Sequence, residues 1–264
     1  MEEGAFERRL RAARGGGGGD PETEQWLLDR LARGATEAED AEAAAWLAEA
    51  AERGGARLQA ALGAFHELGR GGLSPDDTRA RQWYERAAAQ GYARAQHAMG
   101  LFCEAGRGGL RADDAAARAW FERAAAQGFA GAEHNLGVLR LAGRGGLSAN
   151  RPAALAHFER AAEKDSLPAL FALGVLTEER GVEGEAEALR WYARAAALGH
   201  PSARERVAAL RSRQEIPNGR TAEQPVVAEA AAGTALPALF ALPLNPAWGT
   251  GFDPVGEHAG LDPF

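Results

Sequence analysis

The sequence predicts an all-α protein, an α-solenoid of stacked helix–turn–helix repeats, and three recurring features predict it. Pairs ending in glycine fall at Leu62-Gly63, Met99-Gly100, Leu136-Gly137 and Leu173-Gly174, at steps of 37 residues. Trp46, Trp83, Trp120 and then His157 keep the same step. Gly54, Gly91, Gly128 and Asp165 close the units in that register, and Gly199 follows only 34 residues later. A hairpin of this size cannot bury its apolar faces alone, so neighbouring units must stack.

Each element follows from local chemistry. In the unit at 92–128, Ala95, Met99 and Phe102 are spaced four and three apart, one face of a helix. The Gly-Arg-Gly-Gly-Leu run after it ends that helix and turns the chain. In the unit before, Ser74 is the expected N-cap of the second helix, with Pro75 at the first helical position and Asp77 three residues after the cap. Ala80, Trp83, Tyr84, Ala87 and Ala88 form that helix's apolar stripe. The small residues let backbones approach closely, so a large side chain at Gly100 or Gly137 is expected to clash with the facing helix.

Composition agrees. The 264 residues carry 46% hydrophobic but only 7% aromatic side chains, and alanine, the strongest helix former, supplies much of the difference. A net charge of −7 argues against nucleic-acid or anionic-membrane partners. The single cysteine, Cys103, excludes an intramolecular disulfide or a multi-thiolate zinc site. The opening residues lack an apolar signal stretch and no run of eighteen apolar residues occurs, so a cytoplasmic protein is expected.

At Leu62-Gly63, Gly69, Asp76, Ala80, Trp83-Tyr84, Arg86-Ala87-Ala88 and Gly91 the chain resembles the Sel-one-like repeat family, which is related to the tetratricopeptide repeat. The resemblance spans roughly residues 22–210 and implies a right-handed solenoid. It divides the chain into a flexible N-terminus (1–20), a solenoid (21–211) and a Pro-rich, largely irregular tail (212–264). Within the solenoid it gives a degenerate capping hairpin (21–54), repeats at 55–91, 92–128, 129–165 and 166–199, and a closing helix (200–211). The fourth full repeat has a loop shortened by three residues and lacks the turn aspartate. Cysteine-rich relatives pair cysteines within each repeat, a pattern that Cys103 alone does not reproduce.

The flanks differ from the repeats. Residues 15–19 are five glycines, preceded by a short basic segment with Phe6 and Leu10 on one side. Prolines from Pro217 to Pro263 punctuate the tail. Leu236, Leu239, Phe240, Leu242, Leu244, Trp248 and Phe252 make it less polar than ordinary disorder. Its Phe252-Asp253-Pro254 and Asp262-Pro263-Phe264 triplets resemble motifs that bind endocytic adaptor appendages.

No catalytic, cofactor or metal site is expected. His97 and His134 are repeat equivalents, about 10 Å apart in a stack, too far to share a zinc ion, and they read as surface histidines. His157, in the tryptophan column, reads as a buried or half-buried spacer. Cys103 lacks the positioned base a nucleophile needs. The Glu85/Glu122/Glu159 and Arg86/Arg123/Arg160/Arg194 columns read as solvated ladders with modest ion pairing.

The other face of each first helix carries Arg94, His97, Leu101 and Glu104, then His134, Val138 and Leu141, then Phe171, Val175 and Glu178. In tetratricopeptide folds the matching positions line a concave groove, and the resemblance implies that they bind a protein or peptide here. The expected function is a non-enzymatic adaptor or scaffold. The alternative is self-association or autoinhibition, with the apolar C-terminal tail in the groove.

Overall fold

The computed structural model describes residue 10, residues 21–32 and residues 36–215. The described residues are helical and contain no strand. In chain order the helices are α1 (Pro21–Ala32), α2 (Glu37–Ala51), α3 (Ala56–Leu68), α4 (Asp77–Ala89), α5 (Ala93–Ala105), α6 (Asp114–Ala125), α7 (Ala130–Ala142), α8 (Arg151–Glu163), α9 (Leu167–Glu178), α10 (Val182–Ala197) and α11 (Pro201–Glu215). Consecutive pairs form the hairpins of an α-solenoid. The described residues fall into two compact units: residues up to 132 with 144–147, and residues 133–143 with 148–215.

In the first unit every long repeat is built alike. Helices α3 and α5 end on left-handed glycines, Gly69 and Gly106. The turn then closes when the N–H of Asp76 donates to the carbonyl of His66 at 2.8 Å, and that of Asp113 to Cys103 at the same distance. The cap of α4 is Asp76 rather than the expected Ser74, its carboxylate accepting from the Arg79 N–H at 2.9 Å. The turn bond from the Asp76 N–H places this carboxylate, rather than the Ser74 hydroxyl, at the first free amides. Asp113 repeats the cap on α6. At the start of the array Thr36 and Glu39 form a full capping box on α2, and Arg30 braces Glu39 at 2.7 Å.

Packing inside a hairpin rests on a glycine and a ring. A methyl carbon placed on Gly63 would lie 2.9 Å from the Tyr84 ring, so α3 must offer bare backbone there. The far edge of Tyr84 meets Phe102 of the next hairpin edge-on, centroids 5.6 Å apart. Ala80, Ala87, Ala95, Ala98 and Met99 complete that layer. The α1–α2 layer is built on Leu27, Leu31, Trp46 and Leu47. Leu10, in the segment expected to be flexible, is buried in this cluster.

The second unit repeats the scheme on α7–α8 and α9–α10. Asn150 replaces aspartate as the cap of α8. Phe158 covers Gly137 and Tyr192 covers Gly174. The shortened fourth turn enters α10 through Gly181 at positive φ, with no side-chain cap. Helix α11 buries Ala203 and Leu210 and exposes Arg204, Glu205 and Arg211, a polar outer face suited to ending an array. It runs to Glu215, four residues beyond the expected boundary. The tail expected over 212–264 otherwise lies outside the described residues, as does the N-terminus apart from Leu10. No helix among the described residues is long and apolar enough to cross a membrane.

Candidate functional site

The first-helix faces are partly used up by the stack itself. In the first unit, His97 is 4% exposed, packed against Phe121 and Phe129 with ring centroids 5.6 and 5.0 Å away. Leu101 is buried, and Glu104 pairs with Arg144 at 3.1 Å. Burial pushes the Glu104 carboxyl above its ordinary range and the arginine opposes that shift. Arg94 is half-buried.

In the second unit, Phe171 is buried, stacked on His200 at 4.5 Å with the rings nearly parallel. Glu178 accepts from the Tyr192 hydroxyl at 3.0 Å and pairs with Arg206. Val138, Leu141 and Val175 remain half-buried, at positions without a polar group to satisfy.

The histidines are therefore not surface residues. The residue entering the next repeat covers the helix position below it: Phe129 covers His97, and His200 covers Phe171. A helical wheel drawn on one repeat cannot show a lid supplied by the next. His134 packs on Phe158 at 5.4 Å, and its Nδ1 is shielded from solvent without a hydrogen-bond partner. Desolvation lowers its pKa from 6.5 to about 4.

A base depressed on folding binds its proton more readily in the unfolded chain. Stability is therefore full above about pH 6.5 and falls as the pH drops toward about 4, with a limiting slope of about 1.4 kcal/mol per pH unit. In a His134→Phe variant this part of the acid-side loss disappears, and chemical denaturation between pH 7 and 4 reads the difference. An unchanged pH profile contradicts the assignment.

His157 is half-buried, as expected, and carries a bond the sequence did not suggest. Its Nδ1 lies 2.7 Å from Glu133, which also receives Arg160 at 2.9 Å. Both hold the Glu133 carboxyl low despite burial. The positions equivalent to Glu133 in the first unit are the neutral Gln59 and Gln96, which accept instead from Gln90 and Gln127, each at 2.8 Å. Trp83 and Trp120 lie half-buried beneath Arg86 and Arg123, at 4.5 and 4.7 Å from ring centroid to guanidinium. Cys103 is buried and its thiol pushed up, which disfavours the nucleophilic thiolate. Among the described residues no group of three or more histidine, cysteine or acidic side chains could hold a metal ion.

The arginine of each Gly-Arg-Gly-Gly turn was not singled out by sequence, yet it joins successive repeats. Arg70, Arg107 and Arg144 each grip an aspartate 30 residues earlier through both Nε and Nη2, and the partners are Asp40, Asp77 and Asp114. The following glycine lies so close to that aspartate's carbonyl that a methyl on Gly145 would sit 2.8 Å from the Asp114 oxygen. The signal was present as a constant offset of 30 between two columns, each recurring every 37 residues.

Comparison with known proteins matches this architecture. The Sel1 repeat model matches residues 30–55, 56–92, 93–129, 130–166 and 167–200. A crystal structure of a Sel1 repeat protein from Oxalobacter formigenes is 31% identical with a TM-score of 0.51, covering 60% of this chain and 64% of its own. A crystal structure of c5321, a protective antigen of uropathogenic Escherichia coli strains displaying an SLR fold, is 25% identical with a TM-score of 0.47, covering 76% of this chain and 50% of its own. The chain thus spans less than two thirds of either relative. No curated protein matches it.

Proposed function

Because this chain belongs to the Sel1 repeat family, whose repeats generally mediate protein–protein interaction, we propose that it is a non-enzymatic scaffold binding a peptide or helix of a cytoplasmic partner protein. The observation that carries this reading is the half-buried apolar set Val138, Leu141 and Val175 on the first helices of the second unit. Leu136 and Leu139 of α7 and Leu170, Phe171, Leu173 and Leu176 of α9 are buried in the stack, and Glu178 is held by Tyr192 and Arg206. Apolar side chains left partly open on an otherwise charged surface favour a partner's apolar face.

The test compares wild type with a Val138→Glu/Leu141→Glu/Val175→Glu variant in affinity purification from the source cells. Circular dichroism first establishes that the variant keeps its helical content and melting transition. Specific prey lost from the variant alone support this surface. The same prey retained on a folded variant move binding elsewhere. The half-buried His134, whose ring packs on Phe158, and the buried Phe171 are unsuited to this test, because a carboxylate at either would destabilise the fold.

A further inference from the structure

One row of equivalent positions on the first helices changes from closed to open between the two units. In the first unit its members, Ala64 and Leu101, are buried. In the second unit Val138 of α7 and Val175 of α9 are half-buried, and Ala209 of α11 is exposed. Ala209 matches Val175 at the 34-residue step of the shortened repeat. None of these side chains carries a polar group, so a charge brought to them meets no counter-charge along the row.

Helix α11 delivers the rest of the chain beside this row. Its Arg206 and Arg213 both turn to Glu178, Arg213 at 3.7 Å, and Glu178 stands three residues after Val175 on α9. At the usual helix spacing of ~10 Å, Val175 lies one step from α11 and Val138 two. The 20 residues between α11 and Leu236 reach up to ~66 Å when extended, several times that distance. The chemistry also matches. Residues 230–252 contain no charged side chain in a chain that is 25% charged, and they include Leu236, Leu239, Phe240, Leu242 and Leu244. A tether of this length presents its end at an effective concentration on the order of 1 mM, so even a contact with an intrinsic Kd of ~0.1 mM is ~90% formed.

We infer that residues 236–244 of the same chain, Leu-Pro-Ala-Leu-Phe-Ala-Leu-Pro-Leu, dock on the row Val138–Val175–Ala209. The contact is intramolecular and, resting on the function proposed above, it makes the tail a competitor that a partner displaces from α7 and α9.

The test places a photoreactive benzophenone amino acid at the exposed Ala209 of the full chain, with the exposed Arg190 of α10 as the control position, and maps crosslinked peptides by mass spectrometry. The expected product at Ala209 is a monomer crosslinked to a peptide containing 236–244, with a much lower yield at Arg190. In a Leu239→Asp/Phe240→Asp variant, carboxylates that weaken the contact a hundredfold lower its occupancy from about 0.9 to about 0.1, so the yield falls roughly fivefold to tenfold. These substitutions lie beyond the last described helix, and circular dichroism confirms an intact solenoid. No tail peptide among the products, a covalent dimer as the main product, equal yields at the two positions, or a yield unchanged in the tail variant each overturn the inference. The prey assay reads the partner surface separately. Prey lost from the Val138→Glu/Leu141→Glu/Val175→Glu variant with no tail crosslink in wild type overturns the docked tail alone. A tail crosslink with prey retained on that variant supports the docked tail and overturns the partner reading instead.

Discussion

Replacing Gly137 by alanine lowers the melting temperature, although the same change in an ordinary helix interior raises stability by about 1 kcal/mol. The sign reverses because the new methyl would lie 2.7 Å from the Phe158 ring. Phe158 is wholly buried and cannot retreat without displacing its neighbours. Overpacking of this kind costs about 1–3 kcal/mol, and Gly137→Leu lies at or beyond the upper end of that range. At roughly 2–4 °C per kcal/mol in a chain of this size, the leucine variant shifts the midpoint by up to about 12 °C. Adding Phe158→Leu, which opens space at the ring, recovers part of the loss. A double-mutant cycle with zero coupling, or a Gly137→Ala variant as stable as wild type, would falsify the glycine–ring assignment.

The second large effect falls on the turn arginine. Arg107 donates to Asp77 at 2.6 Å and to Glu67 at 2.6 Å, and its guanidinium lies 4.5 Å over the Phe102 ring. The two carboxylates hold its proton more firmly than usual. Asp77 is fairly open, but the Glu67 side chain is only 5% exposed. Arg107→Met therefore keeps most of the packing volume while leaving Glu67 to the Tyr84 hydroxyl alone, at 2.8 Å. The expected loss is about 2–3 kcal/mol, between a surface pair at ~0–1 and a fully buried pair at ~3–5. Arg86→Met is the control. Its pair with Glu52 is exposed on both sides, and a cost below about 1 kcal/mol is expected. Equal losses for the two variants in urea unfolding would show that the turn arginine does not join the repeats.

Repeats made the fold unusually legible. Glycine spacing, alanine stripes and the Gly-Arg-Gly-Gly turns each report a local requirement, such as a left-handed residue at Gly69 or a bare backbone at Gly137. Such requirements act within one hairpin and recur with it, so the period and the helix pairs could be read directly. The candidate site was less legible. Arg94, His97, Leu101 and Glu104 share a helix face, as the periodicity says, but sharing a face does not reveal what covers it.

What the sequence determined by itself was the α-solenoid, its family and its period, because backbone propensity and close-packing glycines are properties of short segments. The tertiary structure decided which equivalent positions became core and which stayed open. Phe129 and His200 come from the next turn of chain to cover His97 and Phe171, while Val138 and Val175 remain partly open. It also decided that Arg107 reaches back 30 residues to Asp77 and that Glu133, at a position where earlier repeats carry glutamine, takes His157 and Arg160 as its partners. Burial and ion pairing depend on neighbours brought together by stacking, and no single repeat contains them.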